Sequence, residues 1–385
     1  MSASSNLLRL QRAINYQGKR AYHDLVTLPS KKPIISQGPP GYSAVTGHVV
    51  TVFGCTGFLG RYLVSKLARQ GTQVIIPYRD EDEKRHLKPM GDLGQIVPME
   101  WDIRNENQIA ECVRHSDIVF NLVGRDYATK CVFHLIVTCT PKFLLFRSFD
   151  FTSVQVDGAE RIARVTAQSG VPRFVHVSHL NASVTSLSKL YQTKAEGEER
   201  VKAVFKEATI IRPGPLYGYE DKLLNNIAIW PIWWKLNDAK TMTRPVHVMD
   251  VAQVLANLVH SPQQGRTIAL PGPSTLTYEY LLDLVSSLTY QPPSRAPAVP
   301  KAVALAVAKA AQAVWWPLLS PDEVIRRYIN DADTPGDWDV VGVTPSEIEQ
   351  HAIQYVRRYR SAENFSRPNI FPPRPIAEEE VGLGF

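Results

Sequence analysis

The sequence is short of the features that mark several common protein classes. Its 385 residues include four cysteines, Cys55, Cys112, Cys131 and Cys139. No two of them form a CxxC pair, so neither a zinc site nor a disulfide framework is indicated, and a reducing compartment is expected. Lysine and arginine outnumber aspartate and glutamate by 43 to 37, a formal net charge of +6. That excess is dispersed, with no basic block of the kind that follows a nucleic-acid backbone, so nucleic acid is not expected as a partner. The apolar stretch at residues 131–148 is interrupted by His134, Pro141 and Lys142 and does not read as a membrane span. It has no acidic residue and fits no element around it; we read it as an anomalous insertion absent from the working protein, the other reading being a lid over a ligand.

Acidic residues are also missing from Met1 to His23, where Arg9, Arg12, Lys19 and Arg20 alternate with Leu7, Leu8, Leu10, Ile14 and several serines. This is the composition of a mitochondrial transit peptide, expected over residues 1–23; a solvated basic tail is the plainer reading. A proline-containing linker is expected over 24–46.

What is present starts at His48. An apolar run to Phe53 reads as a buried strand, and it empties into Gly54-Cys55-Thr56-Gly57-Phe58-Leu59-Gly60. From Phe58 to Gln70, Leu59, Leu63, Val64 and Leu67 recur at helical spacing. A strand, a tight glycine turn and a helix start offer a diphosphate unpaired backbone N–H groups and the positive end of a helix dipole. The glycines are needed because a Cβ would block the approach of the backbone. The spacing is Gly-x-x-Gly-x-x-Gly, not the commoner Gly-x-Gly-x-x-Gly.

Further strands are expected at Gln73–Tyr78, Ile96–Trp101, Asp117–Leu122, Arg173–Ser178 and Ala208–Arg212. Helices are expected at Asn105–Arg114, Thr152–Gln168 and Lys189–Lys206. Such alternation predicts an α/β fold, a Rossmann-type doubly wound parallel sheet with right-handed crossovers. The dinucleotide domain is expected over 47–220, with 246–262 returning to it, and a smaller C-terminal lobe and extended tail over 221–385.

Ligands on such a sheet lie beyond the carboxyl ends of its strands. Arg79, at the end of the second strand, stands where a guanidinium would pair with the 2′-phosphate of NADP(H); Asp80 beside it keeps NAD open. Asp102 and Ile103, after the third strand, are placed for the adenine, although an aspartate there is equally a turn or cap residue. Leu122, Val123 and Gly124 follow the fourth strand, and the glycine lets the chain pass close to a cofactor.

Together these segments resemble the extended or atypical short-chain dehydrogenase/reductase superfamily. The resemblance runs from His48 to Pro262 and includes Val156-Asp157-Gly158, Val175 to Ser178, Tyr191 with Lys194, Arg212-Pro213-Gly214, and Pro245 to Ala252. It implies cofactor contacts at Gly54, Thr56, Gly57, Phe58, Leu59, Gly60, Leu122, Val123, Gly124, Ser178, Tyr191, Lys194 and Pro213, besides Arg79, Asp102 and Ile103. The superfamily's catalytic unit is a serine with Tyr-x-x-x-Lys on a helix. Here the interval is Tyr191-Gln192-Thr193-Lys194, one residue short, and Leu190 stands where the tyrosine belongs. One residue turns a helical side chain by about 100° and shifts it about 1.5 Å. A misplacement of about 1 Å can cost roughly 100-fold in rate. The unit therefore reads as degraded, with no catalytic residue assigned. The other reading is an active NADP-dependent reductase or epimerase using Ser178, Tyr191 and Lys194.

Thr51 to Arg61, Asn121 to Arg125, His176 to Ala182 and Lys194 to Glu198 carry a narrower resemblance, to the dinucleotide-binding accessory subunits of mitochondrial respiratory complex I (NADH:ubiquinone oxidoreductase). That family implies NADPH held as a structural ligand and other subunits of the ubiquinone-reducing arm as partners. It also implies a peripheral position on the matrix side of the inner membrane and a part in assembly or stability. Ile229 to Leu236 and Val314 to Leu319, rich in tryptophan, suit a membrane interface or a protein partner, or else the lobe's own core. His247 and Asp250 are expected to set a turn and cap a helix. The acidic run at 378–380 reads as part of an extended tail.

Overall fold

The strand expected at the glycine turn is β1 (Val49–Phe53), with Val50, Val52 and Phe53 fully buried. A strand that is apolar on both faces must be covered on both, as parallel sheets are. The computed structural model of the chain describes residues 25–27, 33–35, 46–126, 150–229, 235–261, 263–292, 298–314 and 320–374. The stretch 1–23, the insertion at 131–148, the tryptophans of 230–234 and 315–316, and the acidic run at 378–380 lie outside the described residues. Within the expected linker, Leu25–Thr27 pairs antiparallel with Pro33–Ile35.

In chain order β1 is followed by α1 (Phe58–Arg69), β2 (Gln73–Tyr78), β3 (Ile96–Glu100), α2 (Glu106–Val113) and β4 (Ile118–Asn121). Next come α3 (Phe151–Gln155), α4 (Asp157–Gln168), β5 (Arg173–Val177), α5 (Lys189–Val204), β6 (Thr209–Pro213) and α6 (Leu224–Ile229). The chain continues with α7 (Val248–Asn257), β7 (Thr267–Leu270), α8 (Tyr278–Thr289) and α9 (Lys301–Val314). It closes with α10 (Pro321–Arg326), α11 (Trp338–Val341) and α12 (Ile348–Val356).

The seven strands form one parallel sheet in the order β3-β2-β1-β4-β5-β6-β7, with Val50 opposite Val74 of β2 and Ile118 of β4. The expected doubly wound sheet is thus observed. The strand order reverses between β1 and β4, and a crevice opens outside the carboxyl ends at such a switch point. On one face α1 and α7 pack Leu63, Leu67, Val251 and Leu255 against the sheet; on the other, α2, α4 and α5 bring Ile109, Ile162 and Val201. Each such fully buried aliphatic side chain contributes about 1.5–3 kcal/mol.

Three expectations need correction. The helix expected over Thr152–Gln168 is two helices, broken at Val156. The break coincides with a close helix crossing, because a Cβ on Gly197 of α5 would stand 2.4 Å from the Gln155 carbonyl oxygen. More than 246–262 returns from the C-terminal stretch to the sheet: β7 pairs with β6, and Trp338 and Val341 of α11 join the α1–α7 face. At four residues, β7 is too short for its periodicity to be read. Finally, His247 stands at the N-cap of α7 without a side-chain capping bond; its Nε2 lies 2.7 Å from the Tyr355 hydroxyl, and Asp250 accepts from Ser346 N.

The remaining helices build a second core, in which Leu224 and Ile227 of α6, Leu281 and Leu284 of α8 and Val356 of α12 surround Tyr217. Ala304 and Ala308 of α9 pack on Val324 of α10. This lobe sits over the carboxyl ends of β4, β5 and β6, where its side chains meet the site.

Candidate functional site

At the switch point the chain turns through Gly54, whose φ of +81° favours glycine. A Cβ there would also lie 3.0 Å from the Leu122 carbonyl carbon after β4. Gly57 N donates to Gly54 O at 3.1 Å, closing the turn. Gly60, one turn into α1, is packed so closely that a Cβ would stand 2.3 Å from Gly54 O. Gly57 forms the N-cap of α1 without a side-chain capping bond, so the first amides of the helix face outward for a ligand.

These residues floor a cavity of about 460 Å³. Of the residues read from the sequence, Gly54, Gly57, Phe58, Leu59 and Gly60 line it from the turn, and Leu122 and Gly124 from the end of β4. Ser178, Tyr191, Lys194 and Pro213 line it from the β5 end, α5 and β6. Thr56, Arg79, Asp102, Ile103 and Val123 do not. Thr56 offers its carbonyl to Arg61, and Arg79 is exposed at the end of β2. The Asp102 carboxylate accepts from Arg104 N at 2.8 Å, which is the turn-residue alternative. Ile103 is 7% exposed and packs in the core against Gly158, where a Cβ would meet its Cδ1 at 2.4 Å. Val123 packs against the same core.

Lys194 is the central cation. Its Nζ donates to Val177 O at 3.2 Å and lies where a Cβ on Gly124 would be 3.3 Å away. Desolvation pulls the ammonium down to about 8, against the pull of Asp126 and Glu198. Ser178 is 5% exposed, and its Oγ is buried with no hydrogen-bond partner among the described residues. A buried hydroxyl bordering a cavity without a partner is costly unless a ligand or water completes it.

Tyr191 behaves otherwise. It is 5% exposed, sits with Phe151, Leu190 and Ile329, and meets the His179 ring at a tilt of 31° with centroids 4.7 Å apart. Burial pushes its hydroxyl up to about 12. In an active unit the lysine lowers the tyrosine's pKa toward neutrality; here burial dominates. His179 is itself driven down to about 3 by desolvation and stays neutral.

The far wall could not be read from local spacing. Arg326, Arg327, Ile329 and Asp331 close the cavity from the C-terminal lobe, and Arg125 and Asp126 border it after Gly124. Arg125 and His179 lie within recognised phrases but were not singled out there; the residues beyond 320 carry no signal in sequence. Two carboxylates, Asp331 half-buried and Asp322 buried, tie that wall to the sheet. Asp331 accepts from Asn181 Nδ2 at 2.7 Å, from Thr243 Oγ1 at 2.9 Å and from Arg244 N at 2.7 Å. Asp322 accepts from Ser188 Oγ at 2.9 Å and from Lys189 N at 2.8 Å. Ser188 is the N-cap of α5 yet makes no side-chain capping bond. Asp322 supplies the missing acceptor from another element, and its charge suits the N-terminus of the helix that carries Tyr191 and Lys194. Among the described residues, no cluster of His, Cys, Asp or Glu could hold a metal ion.

A parallel sheet with a glycine turn at its switch point, roofed by a second lobe, defines a dinucleotide-binding protein of the Rossmann class. The family described as NAD(P)H-binding matches residues 54–262. The chain is 40% identical, over 94% of its length and 91% of the relative's, to the mitochondrial NADH-ubiquinone oxidoreductase 40 kDa subunit of Neurospora crassa. It is 39% identical, over 85% of each chain, to the mitochondrial NADH dehydrogenase (ubiquinone) 1 alpha subcomplex subunit 9 of Rattus norvegicus. The chain belongs to the NAD(P)H-binding family and, within it, to the family of these mitochondrial NADH-ubiquinone oxidoreductase subunits. Among solved structures it is similar to the NADPH-dependent quinone oxidoreductase QOR2 of Escherichia coli complexed with NADPH, with a TM-score of 0.59. That match covers 80% of this chain and 99% of the other at 15% identity, a likeness of fold.

Proposed function

We propose that this protein is an accessory subunit of mitochondrial respiratory complex I that holds NADPH as a structural ligand and supports assembly and stability of the ubiquinone-reducing arm. The observation that carries the non-catalytic part is the environment of Tyr191: one residue too close to Lys194, packed against Phe151, Leu190 and Ile329, and with its hydroxyl pushed up to about 12. A proton donor at the reacting oxygen must be exposed to it and titrate near the working pH. Tyr191 borders the cavity but does not meet the second condition.

The chain's own residues fit a dinucleotide. The close packing at Gly54 and Gly60 keeps the turn open to a diphosphate, with the amides at the start of α1 facing it. Lys194 suits the hydroxyls of the nicotinamide ribose, and the unpartnered Ser178 Oγ offers a hydrogen bond at the same end. Arg79, exposed at the end of β2, supports NADPH over NADH. When bound, the nucleotide supplies a transferable hydride; the chain's part is to bind it, orient it and shield it.

Among the described residues no helix is long and apolar enough to cross a membrane, which supports a peripheral position, on the matrix side of the inner membrane. Val303 and Val307 are 52% and 40% exposed on α9, one turn apart and flanked by Lys301 and Lys309. Such an apolar strip with lysines supports contact with the membrane surface.

Purification from mitochondrial membranes, with identification of co-migrating subunits and of the nucleotide released on denaturation, tests this reading. NADPH and complex I subunits are expected; a free matrix protein without nucleotide would overturn it. A second reading, an NADP-dependent reductase, draws on Ser178 and the desolvated Lys194 lining one cavity. It requires NADPH oxidation with a carbonyl substrate that disappears in Tyr191→Phe.

A further inference from the structure

A surface distant in sequence from the glycine turn is built from arginines laid on aromatic rings. Arg357 stacks on Phe365 at 4.4 Å, Arg358 lies between Tyr219 at 4.6 Å and Tyr359 at 5.0 Å, and Arg367 lies over Tyr290 at 5.5 Å. Arg360 also lies over this ring, at 5.2 Å. Arg360 is buried and donates to Arg367 O at 2.9 Å and Asn369 Oδ1 at 2.8 Å, tying the segment after α12 down across the lobe. Tyr290 itself holds φ of +58°, a left-handed conformation that a bulky residue adopts only under constraint.

Two features separate this surface from an ordinary solvated face. Some exposed arginines elsewhere close ion pairs with carboxylates, as Arg164 does with Glu106 and Arg374 with Glu347 and Glu349, and others, such as Arg79 and Arg266, neither pair nor stack on a ring among the described residues. Among the described residues Arg357, Arg358 and Arg367 have no carboxylate partner in ion-pair range; Arg358 bonds only Tyr219 O and Asn225 Oδ1. Stacking holds a guanidinium flat and leaves its N–H edge free for a carboxylate. The apolar neighbours are also bare: Tyr219 is 51% exposed, Phe365 48%, Ile370 54% and Phe371 44%.

The composition favours a protein over a lipid surface. Residues 357–374 contain five arginines and no lysine. Arginine with tyrosine and phenylalanine, and depletion of lysine, is the signature of a protein interface and its hot spots; segments that hold anionic lipid use lysine and arginine alike. We propose that the surface formed by Arg357, Arg358 and Arg367 with Tyr219, Phe365 and Phe371 docks an acidic segment of a partner subunit. This rests on the reading of the protein as a complex I subunit.

The test uses the full chain in mitochondria lacking the native copy. The double variant R357E/R367E changes two exposed side chains outside the nucleotide cavity. Expected is at least a tenfold loss of the variant from complex I, relative to the wild-type chain, with bound nucleotide and thermal unfolding unchanged. R357K/R367K, which keeps the charge and loses the planar fork, is expected to fall in between. Incorporation of R357E/R367E at the wild-type level would overturn the inference. So would wild-type binding to vesicles of anionic phospholipid that R357E/R367E lacks while still entering the complex, since the occupant would then be lipid. Should R357E/R367E unfold early, R357Q/R367Q carries the same comparison. Absence of the wild-type chain from complex I would overturn the functional reading itself, which separates the two failures.

Discussion

The ammonium of Lys194 lies against the bare Cα of Gly124, close enough that a methyl group added there would stand 3.3 Å from Nζ. One glycine and one lysine from different elements thereby make a single small niche at the end of β4. The niche has a pH consequence. Burial lowers Lys194 from 10.5 to about 8 in the fold. An ammonium is the form that donates to ribose hydroxyls, so NADPH affinity is expected to be level below pH 7.5 and to weaken up to about tenfold per pH unit above 8. The fold's own stability follows the opposite course: between about 8 and 10.5 the unfolded chain binds the proton and the folded chain does not, so this group's contribution rises with pH. Fluorescence titrations of NADPH across pH 6.5–9.5 check the first point, and Lys194→Arg is expected to flatten the profile.

Removing the charge altogether is harsher. Lys194→Met is expected to weaken NADPH binding by about 10–100-fold, the range of a charge-assisted hydrogen bond of about 1.5–3 kcal/mol. Isothermal titration against the wild-type chain measures it; equal affinity would contradict the placement of the ribose at Lys194.

Gly60→Ala inserts a methyl group 2.3 Å from Gly54 O, against backbone that has no way to yield. Destabilisation of about 1–3 kcal/mol is expected, with NADPH binding reduced beyond measurement. Gly94, with open space around its Cα, is the control site for crowding, although its φ of +80° is itself strained by alanine.

Asp322 holds the start of α5 from across the lobe. Asp322→Ala leaves Ser188 Oγ and Lys189 N without their acceptor, and about 1–3 kcal/mol is expected to be lost. Asp322→Asn keeps an acceptor oxygen and is expected to recover most of it. Denaturant melts of the two variants, read beside NADPH affinity, show whether the cap serves the lysine or only the helix: parallel loss of affinity and stability in the alanine variant, and joint recovery in the asparagine variant, is the expected pattern.

Tyr191→Phe is expected to leave NADPH affinity within about twofold and complex I content unchanged, because its hydroxyl is buried and far from neutral titration. A loss of carbonyl-dependent NADPH oxidation in this variant would favour the reductase reading.

Much of the architecture is legible in the sequence because it depends on local periodicity. The limits of β2 and the starts of α1, β3, β5 and α5 stand where apolar spacing puts them, and the interval between Tyr191 and Lys194 follows from helix geometry alone. The glycine turn was legible for the same reason: a backbone that must approach a phosphate admits few residue types. Ile103 shows the limit of such reasoning. Its position after β3 suited an adenine, but whether an isoleucine faces a ligand or the core depends on the helix packed behind it, and Gly158 of α4 provides the hole it fills.

What the chain order alone determined, then, is six of the sheet's seven strands, the phosphate turn and the shortened Tyr-x-x-Lys interval, each written in residues only a few positions apart. The roof of the cavity and the trans cap of α5 were decided by tertiary structure. Ser188 and Asp322 are separated by 134 positions, and Asn181 and Asp331 by 150. No spacing rule connects residues so distant, because they meet only after the sheet has formed and the lobe has folded down upon its carboxyl edge.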